Sequence, residues 1–109
     1  MSEGAIRKIS DLVDSTYPPN LNPEAWLWRR CAKVCEEAGE VTEALLGMTG
    51  ENPRKGVTHT QNDLVVELLD VALAALGAVA HLMPASVDPL DLLEDHTDMV
   101  LNRLEEVLA

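Results

Sequence analysis

Two pairs of acidic residues share the same spacing, and they are the side chains of this sequence best suited to chemistry. Glu37 and Glu40 are three positions apart, and so are Glu67 and Asp70. Residues at this spacing on an α-helix lie one turn apart on the same face. The two carboxylates of each pair can therefore reach a common ion if both segments are helical.

The surroundings of the second pair are unusual for acidic residues. Glu67 and Asp70 lie within residues 63–81, where nearly all other side chains belong to Leu, Val or Ala. A helix that is apolar on almost all sides is expected to be buried. A buried carboxylate is costly unless a cation or hydrogen-bond donors compensate it. The sequence therefore favours a cation facing these two acids, with a narrow solvent-facing stripe as the alternative.

Facing pairs on two helices of a bundle would form a site made only of oxygen ligands. Such a donor set suits Mg²⁺ or Mn²⁺ rather than Zn²⁺. Carboxylate ligation leaves water positions open on the metal, and phosphate oxygens commonly take those positions. Taken alone, Glu37 and Glu40 are typical of a solvated helix face. Two pairs on consecutive helices favour the metal site.

Four helices are predicted to position these residues. They cover residues 5–13, 23–48, 61–82 and 89–108. Asn22, Thr60 and Asp88 each precede one of the last three segments and are residue types that cap helix N-termini. The sequence therefore predicts an all-α fold, a four-helix bundle, with the acidic pairs on its second and third helices.

The length and the apolar composition bound the architecture. A chain of 109 residues forms one small domain over residues 1–109, with its motif region at about 23–82. Leu, Val and Ala dominate the apolar residues and Phe is absent, which favours helices over a sheet. The third helix carries more apolar surface than three partner helices easily cover. We therefore expect oligomerisation through helix faces, as a homodimer or homotetramer.

The charge and the cysteines indicate the environment. The net charge of −11 argues against a nucleic-acid partner, which needs a basic face. The first residues lack an apolar leader segment, and the longest apolar run is predicted to be too short for a membrane span. Cys31 and Cys35 fall on the predicted apolar face of the second helix, so we expect core thiols rather than a zinc site. These features predict a cytoplasmic protein that binds no membrane.

The acidic motif resembles a known family. Residues 36–45, EEAGEVTEAL, followed by Glu67 and Asp70, are similar to the EExxE…ExxD pattern of the MazG-like all-α nucleoside triphosphate pyrophosphohydrolases. That superfamily includes dimeric dUTPases, dCTP pyrophosphatases and phosphoribosyl-ATP pyrophosphohydrolase. The resemblance spans about residues 26–82. It implies a four-helix bundle that forms a dimer or a dimer of dimers, with Mg²⁺-dependent cleavage of an NTP or dNTP to the monophosphate and pyrophosphate.

The resemblance also implies roles for the motif residues. Glu37, Glu40, Glu67 and Asp70 would hold the metal. Glu36, the first acid of the motif, would be the catalytic base that activates water. A carboxylate beside the metal can accept the proton of a water molecule whose pKa the metal lowers.

Residues on the second helix are candidates for substrate binding. Arg30 and Lys33 precede the acids by two turns and one turn and would suit a phosphate or the leaving pyrophosphate, with helix solubility as the alternative. Trp26 or Trp28 could stack on a base, although packing is the more common role of such a residue.

Other parts of the sequence match the family less well. On the last helix, only Asn102 and Arg103 loosely resemble the residues with which relatives meet phosphate and sugar. Arg54 and Lys55, in the loop before the third helix, could reach phosphates or simply face solvent. Two alternatives remain: a phosphoribosyl-ATP pyrophosphohydrolase-like enzyme, and a non-catalytic helical interaction or regulatory module.

Overall fold

The computed structural model describes residues 4–20 and 22–109, and these residues form four α-helices and no strand. The helices are α1 (Ala5–Asp14), α2 (Pro23–Thr49), α3 (Gln61–Leu82) and α4 (Pro89–Leu108). The predicted all-α fold is confirmed. The bounds predicted for α3 and α4 are those observed, and α1 and α2 each extend one residue further.

Side-chain caps explain where three of the helices begin. The Asn22 side chain accepts a hydrogen bond from the backbone N–H of Ala25 at 2.9 Å. Thr60 and Asp63 form a reciprocal capping box at the start of α3. Asp88 caps α4. Each cap satisfies a backbone donor that the first helical turn leaves free, and all three predicted caps are confirmed.

The helices α2 and α3 form the main packing unit. They run antiparallel, so that Glu37 of α2 faces Asp70 of α3 while Arg30, earlier on α2, lies beside Gly77, later on α3. α1 packs across α3, and α4 makes few contacts with it. This arrangement holds the two acidic pairs on facing helices.

The chain is more extended than a compact domain of its length. Its radius of gyration is 17.3 Å, whereas about 13 Å is typical of 100 residues. Its accessible surface is 8029 Å², about 2,000 Å² more than the average scaling with mass gives. Residues 101–108 of α4 are all exposed. Much apolar helix surface is therefore uncovered within one chain.

Several predictions of burial are wrong for the single chain. Cys31 and Cys35 are exposed rather than core thiols. On α4, the large apolar side chains of Leu93 and Leu104 are 45% and 51% exposed. Hydrophobic residues that are fully buried among the described residues are few and mostly small: Ile6, Ala44, Ala78 and Ala80. The reason is that, among the described residues, α1 and α4 pack mainly against α3 and leave much of the α2 and α3 surface uncovered.

The helix α3 is also long and apolar enough to cross a membrane. Its most apolar window of 18 residues has a mean hydropathy of 1.9, and 17% of that window is buried. The expectation that no apolar run reaches this length does not hold for α3. Since the core helix of a soluble protein meets the same criteria, length and composition alone decide nothing about location.

Candidate metal centre

Three carboxylates from two helices converge at the α2–α3 contact. One oxygen from each of Glu37, Glu67 and Asp70 lies within 4.8 Å of the other two. All three residues are half-buried. The spacing within α3 places its two acids on one face, and the antiparallel packing brings Glu37 opposite them. We call these three residues the carboxylate cluster.

Two oxygens of the carboxylate cluster lack partners. Oε2 of Glu37 and Oε2 of Glu67 are buried and accept no hydrogen bond from any described residue. A buried acceptor without a donor costs free energy, and most such groups in proteins are satisfied. The negative charges also repel one another at this distance. The donor set and its unpaired oxygens therefore fit a hard divalent cation.

Glu40 lies at the edge of the carboxylate cluster, one turn after Glu37 on α2. The neighbouring Glu37 carboxylate raises the pKa of Glu40 above its usual value, because it can accept a hydrogen bond from protonated Glu40 and because its negative charge disfavours ionisation; Glu67 adds a smaller effect. A raised pKa indicates that the fourth carboxylate feels the same negative potential. The four acids predicted to act together are thus brought together, three tightly and one beside them.

Among the described residues, Lys33 is the cation that contacts the carboxylate cluster. Its Nζ is 3.1 Å from Oε1 of Glu37 and 3.3 Å from Oε1 of Glu36. These hydrogen bonds, first that with Glu37 and then that with Glu36, raise the pKa of Lys33. Glu36 is 63% exposed and lies outside the cluster. One exposed lysine therefore offsets only part of the negative charge.

A cleft of about 660 Å³ extends from the carboxylate cluster along α2 and α3. Glu36, Glu37 and Asp70 lie at one end, and Arg30 and Gly77 lie at the other. Each of these last two is seven residues from an acid on its own helix, which corresponds to about 10 Å along the cleft. The cleft thus joins an acidic end to a basic one. Its remaining lining residues include Tyr17, Trp28, Arg29 and Lys33.

Arg30 is buried, with 7% of its side chain exposed. Its Nη2 and Nε donate to Oδ1 of Asp14 at 2.8 Å and 3.2 Å, and Nη2 also donates to Oγ of Ser10 at 2.8 Å. Asp14 therefore balances the charge of the guanidinium and fastens α1 to α2. Ser10 and Asp14 were not predicted as site residues from the sequence. Their spacing of four positions on an amphipathic helix does indicate that both lie on one face of α1.

The two tryptophans occupy different environments. Trp26 packs edge-on against Tyr17, with ring centroids 5.4 Å apart, and lies 5.9 Å from the His81 ring. Trp28 is 72% exposed and lines the cleft. Trp26 thus packs among other rings in a single chain, whereas Trp28 faces the cleft. His81 contacts Asp14 at 3.4 Å and lies outside the carboxylate cluster.

The remaining candidates lie away from the carboxylate cluster within one chain. Asn102 and Arg103 are exposed on α4 and do not line the cleft. Arg54 is exposed in the loop before α3. Lys55 lines a separate cleft of about 440 Å³ together with His59. These four residues can meet the cluster only across a contact between chains or after a movement of the loop.

Comparison of the chain with protein-family models, curated proteins and solved structures finds no match. The residues of the site themselves indicate which chemistry it can perform. Clustered carboxylates can hold a divalent cation, an exposed carboxylate nearby can accept a proton, and the neighbouring basic side chains can bind anionic oxygens.

Proposed function

We propose that this protein is a Mg²⁺-dependent nucleoside triphosphate pyrophosphohydrolase of the MazG-like type. It would cleave an NTP or dNTP between the α- and β-phosphates. The observation that carries the proposal is the convergence of Glu37, Glu67 and Asp70, with two buried unpaired oxygens, at the end of a cleft that also holds basic side chains. The EExxE…ExxD spacing supports the same reading.

The carboxylates would hold the metal, with Glu40 adding a ligand from the edge of the carboxylate cluster. When bound, Mg²⁺ (or Mn²⁺) would neutralise phosphate charge and lower the pKa of bound water. The unpaired oxygens of Glu37 and Glu67 are the part of the cluster that most needs a cation. Removing either charge is therefore expected to weaken metal binding.

The exposed groups beside the carboxylate cluster would handle the proton and the phosphates. Glu36 lines the cleft and would accept the proton of the attacking water. Lys33 holds Glu36 and Glu37 and could exchange them for a phosphate oxygen when the substrate binds. Arg29 also lines the cleft and would bind a second phosphate.

A second copy of the chain is the proposed occupant of the exposed apolar faces. The excess of about 2,000 Å² per chain over the average for this mass suits an obligate homodimer or homotetramer. A bilayer is the poorer candidate because Glu67 and Asp70 interrupt the middle of α3, and carboxylates are expensive in hydrocarbon. Assembly would also give Asn102 and Arg103 a route to the site of a neighbouring copy.

Product analysis tests the activity. The protein is incubated with Mg²⁺ and, separately, with each NTP, each dNTP and phosphoribosyl-ATP, and pyrophosphate and monophosphate are quantified. We expect both products from at least one substrate, and the identity of that substrate separates the two enzyme alternatives. Glu67→Gln and Asp70→Asn should abolish release. Asp11→Asn, at an exposed position of α1, is the matched control and should retain it.

The absence of pyrophosphate from every substrate would contradict the enzyme proposal. It would favour the interaction module, for which the exposed apolar faces are the specific observation. That module predicts no effect of metal on folding. If Mg²⁺ raises the melting temperature of the wild type but not of Glu67→Gln, the module is refuted as the sole function.

A further inference from the structure

One nitrogen of the buried Arg30 side chain is unused. Nε and Nη2 donate to Asp14 and Ser10, but Nη1 makes no hydrogen bond to any residue in the part of the chain that the structure describes. Arg30 lines the cleft at the end opposite the acids. A guanidinium with most of its donors fixed presents its remaining N–H groups in a rigid direction.

Gly77 keeps the space beside this nitrogen open. A Cβ placed on Gly77 would lie 3.3 Å from Nη1 of Arg30 and would meet no other atom within 4 Å. Gly77 lies inside α3, where glycine is less favourable than alanine. The missing side chain therefore leaves the space beside Nη1 free on the α3 side of the cleft, and it lowers the stability of the helix.

The charge around Arg30 indicates what kind of atom it binds. Asp14 already neutralises the guanidinium at 2.8 Å, so Nη1 suits a neutral acceptor better than a phosphate. Nη1 also lies on the order of 10 Å along the cleft from the carboxylate cluster. A nucleotide held by its phosphates at the acidic end would direct its base toward Arg30. Carbonyl oxygens are the strongest neutral acceptors that a nucleobase offers.

We propose that Nη1 of Arg30 donates a hydrogen bond to a carbonyl oxygen of the substrate's nucleobase, through the opening left by Gly77. This inference rests on the proposed function and deepens it. It makes Arg30 a residue that selects the base rather than one that binds phosphate. It also predicts that adenine, which has no carbonyl group, is bound less well than the carbonyl-bearing bases.

Binding measurements with a matched pair of variants test the proposal. Gly77→Ala fills the opening without removing the Arg30–Asp14 pair. Gly39→Ala makes the same change within α2, where a Cβ meets nothing within 4 Å. Affinities are measured by calorimetry with Mg²⁺ for α,β-methylene dNTP analogues of all four bases and for inorganic tripolyphosphate. The melting temperature of each variant reports whether it is folded.

We expect a carbonyl-bearing analogue to bind the wild type most tightly, and Gly77→Ala to weaken that binding about tenfold or more. The affinity for tripolyphosphate should not change, and Gly39→Ala should alter neither affinity. Arg30→Lys keeps a cation opposite Asp14 but lacks Nη1. It should likewise weaken binding of the carbonyl-bearing analogue and leave the affinity for tripolyphosphate unchanged.

Three results would overturn the inference while leaving the proposed function intact. They are an adenine analogue that binds as tightly as the best carbonyl-bearing one, no effect of Gly77→Ala on any ligand, and an equal loss for nucleotide and tripolyphosphate. If the wild type binds neither nucleotides nor tripolyphosphate in Mg²⁺, the proposed function fails, and this inference fails with it.

Discussion

Neutralising one member of the carboxylate cluster should stabilise the protein when no divalent cation is present. Glu67 has an oxygen within 4.8 Å of oxygens of both Glu37 and Asp70. At an effective dielectric constant of about 20, two unit charges at that distance repel by about 3 kcal/mol, and by about 1 kcal/mol in bulk water. Because the three residues are half-buried, the repulsion per pair lies between these limits. Glu67 takes part in two such pairs, so we expect Glu67→Gln to raise the free energy of unfolding by about 2 kcal/mol or more in chelator.

Thermal and urea unfolding measure this effect. A gain of 1 kcal/mol corresponds to an increase in melting temperature of about 4–8 °C for a domain near this size. Adding Mg²⁺ should stabilise the wild type and leave Glu67→Gln nearly unchanged. The difference in stability between the two proteins should therefore become smaller or change sign. Asp11→Asn removes an exposed charge of α1 and should shift the unfolding free energy by less than about 0.5 kcal/mol. A Glu67→Gln protein that is less stable than the wild type in chelator would refute the reasoning, because its carboxylate would then be a structural group.

Four further predictions concern pH, capping and assembly. Because the pKa of Glu40 is raised, the folded state binds the proton of Glu40 more tightly than the unfolded state does. In chelator, the melting temperature should therefore fall as the pH rises from about 4.5 through the pKa of the folded state. Glu40→Gln should reduce this dependence of the melting temperature on pH. Hydrogen bonds from Thr60 lower the pKa of Asp63, so ionised Asp63 stabilises the folded protein at pH values above 3.8. This stabilisation is lost as the pH falls through the lower pKa of the folded state. If the melting temperature of Asp63→Asn still falls over the same pH range, the assignment to Asp63 is excluded. Thr60→Ala should cost about 1 kcal/mol in urea unfolding, and a change near zero would mean that the capping box is not formed. Leu104→Glu, at a half-exposed position of α4, should shift the mass in multi-angle light scattering from an oligomer to a monomer, whereas a monomeric wild type would contradict the proposed assembly.

The elements that depend on local chemistry were predictable from the sequence. Asn22, Thr60 and Asp88 cap the helices that they were expected to begin, because capping involves residues only two or three positions apart. The convergence of Glu37 with Glu67 and Asp70 was also predictable. Two helices joined by a short loop pack antiparallel, and each places acids one turn apart on a single face.

The predictions that failed depend on what covers a surface. The pattern on α2 and α3 correctly marks apolar faces, but it does not say whether the same chain or another copy buries them. Cys31 and Cys35 lie on the predicted apolar face of α2, yet both are exposed in a single chain. An apolar stripe identifies surface that needs a partner and leaves the partner open.

The Arg30 contacts could not be read from local spacing. Arg30 and Asp14 are on different helices, and their ion pair depends on how α1 crosses the α2–α3 unit. Gly77 is on a third helix, and its effect on Nη1 is a matter of tenths of an ångström. Such contacts between distant positions require the packed structure, whereas the charge and type of Arg30 alone indicated a phosphate ligand or a solubilising role.

The position of a bound metal ion tests most directly whether Glu37, Glu67 and Asp70 form a metal site. Crystals grown with Mn²⁺ and an α,β-methylene dNTP analogue give an anomalous signal that locates the ion. We predict a peak within bonding distance of oxygens of Glu37, Glu67 and Asp70, with phosphate oxygens of the analogue completing the coordination. A crystal with saturating Mn²⁺ and no peak at the carboxylate cluster, or with the ion bound elsewhere, would contradict it.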